Sequence, residues 1–147
     1  YKTDLGNVLV SLKRFPEAIK IFDEVLKASP SHANAQLGMG NAYYNDRKFI
    51  ESIPYYKKAA ELSPSWSTAH LYLADAYLNS RQYTLALTSY EMSLKHNSKN
   101  VGAMYGIGLT YVRLGNKAMA DKYAKELRAL DVEKADALQK RVDAMAD

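Results

Sequence analysis

The sequence predicts an all-α solenoid of stacked helical hairpins, and three observations carry that prediction. Small and aromatic residues recur every 34 positions along most of the chain. Within each recurrence the apolar residues fall at helical spacing in two separate stretches. Prolines stand where the earlier units end, and proline disfavours helix in the residue before it.

The period is read from several independent columns. Gly6, Gly40, Ala74 and Gly108 form a column of small residues, and Leu9, Tyr43, Tyr77 and Tyr111 follow three places later. Ala18, Ser52, Ala86 and Ala120 share the step, as do Phe22, Tyr56 and Tyr90, with Ala124 the exception. A fixed period of this length marks a repeat array, in which each unit buries its apolar face against its neighbours. Four units are expected, at 1–30, 33–64, 67–98 and 101–132. The first lacks its leading turn. Segment 133–147 places Ala135, Leu138, Val142 and Met145 on one helical stripe and is expected to be a helix capping the array.

Short turns divide each unit: Lys13-Arg14, Arg47-Lys48, Arg81-Gln82 and Gly115-Asn116. Pro16 suits the first turn of a second helix, where its missing N–H costs nothing. Pro54 lies deeper and is expected to distort the start of its helix slightly. Pro30 and Pro64 close their units. Trp66 has two readings, a cover for the seam between the second and third units or a partner contact.

Met39-Gly40, Tyr43, Tyr56, Ala59 and Pro64 in the second unit, with Leu73-Ala74, Tyr77, Ala86 and Tyr90 in the third, resemble the tetratricopeptide repeat family. The resemblance implies a right-handed superhelix in which the first helices of successive units line a concave groove. On those helices Asn7, Asn41 and Asp75 form one row, and Asn45, Asn79 and Arg113 belong to a second. Leu37, Leu71 and Tyr105 form a third, and Tyr44 and Leu78 stand in a fourth with Val10 and Val112.

Asparagine is a poor helix former, yet its amide both donates to and accepts from a peptide backbone. Rows of Asn flanked by Leu and Tyr therefore read as a groove for an extended or helical polypeptide. On this reading, replacing Asn41 and Asn79 by Ala weakens partner binding and leaves the melting temperature alone. Some members of the family grip a chaperone's terminal carboxylate with a clamp of Lys, Asn and Arg. Thr3, Gly38, Thr68 and Tyr72 stand where clamp-type residues would be wanted, so chaperone-tail binding is not expected.

Composition removes other classes. Cysteine is absent, so disulfides and thiolate metal sites are excluded. No apolar run approaches the roughly 18 residues that a membrane helix needs, so no transmembrane segment is expected. Net charge is +4, with Lys13, Arg14, Arg47, Lys48 and Arg81 gathered in the turns. There they suit the negative ends of helix dipoles, or an acidic partner or anionic membrane surface. Elsewhere basic and acidic residues alternate, and nucleic acid is not expected.

His32, His70 and His96 lack helical metal-ligand spacing, and Asp23-Glu24 diverge on their helix. Gly38-Met39-Gly40 and Gly106-Ile107-Gly108 follow no strand and read as packing glycines rather than phosphate loops. Gly38 and Gly106 exceed what the repeat requires and are expected to leave hollows near the groove wall. No enzyme chemistry and no cofactor are therefore expected. The function expected is a protein–protein interaction module acting as scaffold or adaptor. Its competitors are a self-associating scaffold (a homo-oligomer) and the targeting arm of a larger enzyme.

Overall fold

The computed structural model describes residues 1–146, and among these no strand occurs. Nine helices follow one another in this order: α1 (Lys2–Ser11), α2 (Phe15–Ala28), α3 (Ala33–Asn45), α4 (Phe49–Leu62), α5 (Ser67–Asn79), α6 (Tyr83–His96), α7 (Val101–Leu114), α8 (Lys117–Arg128) and α9 (Val132–Asp143). Each helix packs on its chain neighbours, and α1 also meets α3, α5 meets α7, and α7 meets α9. This is a right-handed solenoid of helical hairpins with a terminal helix. The last residue of the expected cap, Asp147, lies outside the described residues. None of the described helices is long and apolar enough to cross a membrane.

The same turn closes the first helix of all four hairpins. Arg14 N–H donates to Leu9 C=O and Lys13 N–H to Val10 C=O, and the pattern repeats at Lys48/Arg47, Gln82/Arg81 and Asn116/Gly115. This double closure satisfies orphan carbonyls and needs a left-handed residue at one position. Lys13, Arg47 and Arg81 take that conformation at φ 60°, 62° and 64°, and Gly115 takes it at 77°. The basic turn residues thus hold the tight corner as well as facing the helix dipole. Helix α4 runs unbroken through Pro54.

The hairpins are joined by a ring-and-seat arrangement. Phe22, Tyr56 and Tyr90, on the second helices, are almost completely buried. Each ring sits over the small residue of its own first helix: a Cβ on Gly6 would come within 2.6 Å of Phe22, and one on Gly40 within 2.6 Å of Tyr56. The opposite face of the ring meets the next hairpin. There a Cβ on Gly38 would collide with Phe22, and one on Gly106 with Tyr90. Gly106 therefore marks no hollow, contrary to the expectation from sequence, because the preceding unit's ring fills the space, whereas Gly38, although Phe22 crowds its Cβ position, does line a hollow on the first helices. At the end of the array Ala124 offers no ring, and Leu138 of α9 comes over Gly108 instead.

Loop carbonyls between hairpins are also tied down. Gln36 Nε2 donates to Pro30 C=O at 3.0 Å, and His70 Nε2 lies 2.8 Å from Pro64 C=O, which identifies His70 as structural. Trp66 is half-buried against Ala59, Ala60 and Ala69, covering the seam between the second and third hairpins.

The seats make two glycines of α7 respond oppositely to a methyl group. Gly106→Ala forces the methyl into the buried Tyr90 ring and is expected to lower stability by about 1–2 kcal/mol, the overpacking cost less the gain in helix propensity. Gly102 has only Leu71 Cδ2 at 3.3 Å and Asn100 Oδ1 at 3.4 Å to meet. Gly102→Ala should fall within about 0.5 kcal/mol of wild type. Urea unfolding of the two variants checks both signs.

Candidate functional site: a trough floored by a lone carboxylate

One seat is occupied differently, and the trough follows from it. Position 72 is the repeat equivalent of Gly38 and Gly106, but it carries tyrosine. Its ring lies 5.8 Å from that of Tyr56, centroid to centroid, and the bulk keeps α5 from approaching α3 as closely as α1 does. Between α3 and α5 this leaves a pocket of about 220 Å³ lined by Asn41, Tyr44, Asn45, Tyr56, Tyr72 and Asp75. A second hollow of about 380 Å³ runs on toward α1, sharing Asn41, Asn45 and Tyr72 and adding Asp4, Asn7, Asn34 and Leu37. Together they form one continuous trough on the first helices.

Of the groove residues expected from sequence, Asn7, Leu37, Asn41, Tyr44, Asn45 and Asp75 line these two hollows. Asn79 stands beside them, donating to Tyr44 Oη at 2.8 Å and to Asp75 C=O at 2.9 Å. The rest do not join. Leu78 is 7% exposed and belongs to the central core, because its side of α5 packs inward; it cannot accept a partner's side chain. Leu71 packs on that core and abuts Gly102. Tyr105 opens on a separate hollow beside α9, with Lys134 Nζ 5.5 Å from its ring. Arg113 is exposed near the end of α7 and lines neither trough hollow.

Two floor residues are pinned from behind. Tyr56 Oη donates to Asn41 Oδ1 at 2.7 Å, and Tyr90 Oη donates to Asp75 Oδ1 at 2.5 Å. Phe22, in the same column, has no hydroxyl, so its counterpart Asn7 goes unpinned. The hydroxyl of a buried tyrosine needs a partner, and the groove asparagine supplies it. Replacing Asn41 therefore cannot leave stability untouched, as the sequence reading had it.

The trough is acidic although the chain is basic. Its lining includes Asp4 and Asp75 and no Lys, Arg or His. Asp75 makes no ion pair among the described residues. Burial pushes its carboxyl up from 3.8 to about 6, against the opposing effect of the Tyr90 hydrogen bond. Burial, reinforced by the Asp75 charge, raises Tyr44 to about 12. Burial likewise lifts the Tyr56 and Tyr90 phenols well above their ordinary value. Near neutral pH the pocket therefore holds the neutral phenols of Tyr44 and Tyr56 beside the Asp75 anion.

Repeated hairpins, small seats and an open trough define the chain as a helical-repeat solenoid. The tetratricopeptide repeat model matches residues 3–65 and 71–138, and the chain belongs to that family. Solved structures agree. A crystal structure of MamA is 19% identical, with a TM-score of 0.82 over 93% of this chain and 91% of that one. MamA from Desulfovibrio magneticus RS-1 is also 19% identical, with a TM-score of 0.83 over 88% and 73%. YrrB, described as a tetratricopeptide protein with an unusual peptide-binding site, gives 19% identity and 0.79 over 96% and 82%. At these identities the likeness establishes the fold. No curated protein matches.

Two predictions test the floor. Asn41→Ala strands the Tyr56 hydroxyl and should cost about 1–3 kcal/mol, whereas in a Tyr56→Phe background the same change should cost much less. Thermal unfolding of the four proteins measures that coupling. Asp75 has a raised folded-state pKa, so the stability of its neutral form is complete below pH 3.8 and lost as pH rises through about 6. Asp75→Asn should thus raise stability by about 1–2 kcal/mol near pH 7.5 and change little near pH 4. Equal shifts at both pH values would contradict this.

Proposed function

We propose that this chain is a non-catalytic interaction module that holds an extended or helical segment of a partner protein in its trough, acting as scaffold or adaptor. The observation that carries the reading is the continuity of the two hollows across α1, α3 and α5, with amides presented along their length. The pinned Asn41 leaves its amide nitrogen without a partner among the described residues, available to donate to a bound backbone carbonyl. Asn7 and Asn45 are exposed and supply both donors and acceptors. Leu37 offers apolar surface for a side chain. A trough with amides already held in place loses little freedom on binding, which favours affinity.

A second reading, self-association, is favoured by one patch. Leu5 and Val8 on α1, with Leu12 just past its end, form a stripe and are 46%, 54% and 58% exposed. Contiguous apolar surface of this kind marks a contact site. A monomer mass that stays constant across a dilution series in light scattering counts against this reading.

The groove reading is tested at Asn45, which is exposed and makes no side-chain hydrogen bond that the fold needs. Peptides selected from a displayed random library on the wild-type protein should bind Asn45→Arg at least about tenfold more weakly. The melting temperature should stay within a degree or two. Undiminished binding of every selected peptide would place the site elsewhere.

A further inference from the structure

Within the trough, the pocket of Tyr44, Tyr56 and Tyr72 has a composition that an ordinary peptide groove does not require. Three aromatic rings line it, with centroids 6.2 Å apart for Tyr44 and Tyr56 and 5.8 Å apart for Tyr56 and Tyr72. Asp75 shares the lining, which contains no cation, and it forms no ion pair among the described residues. One carboxylate oxygen accepts from Tyr90, which fixes the group's orientation; the other has no hydrogen-bond partner among the described residues. Burying an anion without a counter-charge is costly, and a fold gains nothing structural from it. A neutral asparagine would accept the Tyr90 hydroxyl equally well, and Asn7 and Asn41 occupy the same row. The charge at this one position is therefore unexplained by packing.

We propose that this pocket receives a cationic side chain of the partner segment, an arginine guanidinium or a lysine ammonium, with Asp75 as counter-charge and the tyrosine rings as walls. The inference rests on the groove reading and gives the chemistry of its occupant. A cation over aromatic faces is attracted by the ring quadrupoles, and the attraction grows when water is excluded. The pocket opens on the longer hollow, so a segment running along α1 and α3 can drop one side chain into it. Asp4 at the far end of that hollow extends the same preference. Arginine and lysine differ in how they use the site. Guanidinium stacks flat on a ring, whereas ammonium acts as a point charge on the one free carboxylate oxygen.

The test uses N-acetyl-arginine amide, N-acetyl-lysine amide and the neutral N-acetyl-norleucine amide as probes, titrated into the ¹⁵N-labelled protein. The cationic amides should shift the backbone resonances of Asn41, Tyr72 and Asp75 saturably, and the norleucine amide should not. Asp75→Asn and Tyr72→Leu should each weaken the cationic probes at least about fivefold. A larger loss for arginine than for lysine in Tyr72→Leu identifies guanidinium as the better fit, and the reverse identifies ammonium. Equal response to norleucine amide, or cationic binding unchanged in Asp75→Asn, overturns the proposal. So does the absence of any saturable shift. In that case, library peptides that still lose affinity in Asn45→Arg leave the groove reading standing, whereas peptides indifferent to both variants sink it as well.

Discussion

The structure depends on one contact made over and over: a ring on a second helix lying between a small residue of its own hairpin and the first helix of the next. Phe22 is held by Gly6 on one side and Gly38 on the other, and Tyr90 meets Gly106 in the same way. Each ring is buried almost completely, and full burial of such a side chain contributes roughly 2–3 kcal/mol. No hairpin can bury its own ring alone, so neighbouring hairpins are coupled into one array. Leu138 ends the series by covering Gly108, which lets the array stop without an open seat.

The trough is a consequence of breaking that contact once. Tyr72 stands in a seat where its repeat equivalents are glycine, so α3 and α5 are held apart at the middle of the array. Tyr56, still almost completely buried, lines the pocket beside Tyr72, and its hydroxyl holds Asn41. Packing residues and trough-lining residues are therefore the same residues here. Any substitution at Tyr56 or Asn41 touches both roles, whereas Asn7 and Asn45 are free of structural duty.

Charge is distributed against the average. The surplus of cations lies in the turns, where Lys13, Arg47 and Arg81 adopt left-handed backbone, and several pair with nearby acids, as Arg14 does with Glu17. The trough keeps the opposite sign. A low-dielectric floor carrying a lone carboxylate focuses field toward the opening, which favours the approach of positive charge and disfavours acidic segments. In a trough lined mostly by neutral amides and phenols, a charge of this kind contributes to selectivity more than to strength.

The sequence alone determined the period, the hairpins, the terminal helix and which helices line the trough. These follow from local spacing and from columns of small and aromatic residues, each read without knowing what touches what. It also placed six groove residues on the trough, because position within a repeat fixes direction. Which of them are free was decided only by tertiary contacts. Leu78 turned inward, Tyr105 opened on another hollow, and Asn41 took up a tyrosine hydroxyl 15 residues away. Tyr72 was visible as an odd member between Gly38 and Gly106, but its effect needed the partner ring of Tyr56 to be seen beside it. A helix's own pattern tells which face is buried; the space between two faces is set by the side chains of both.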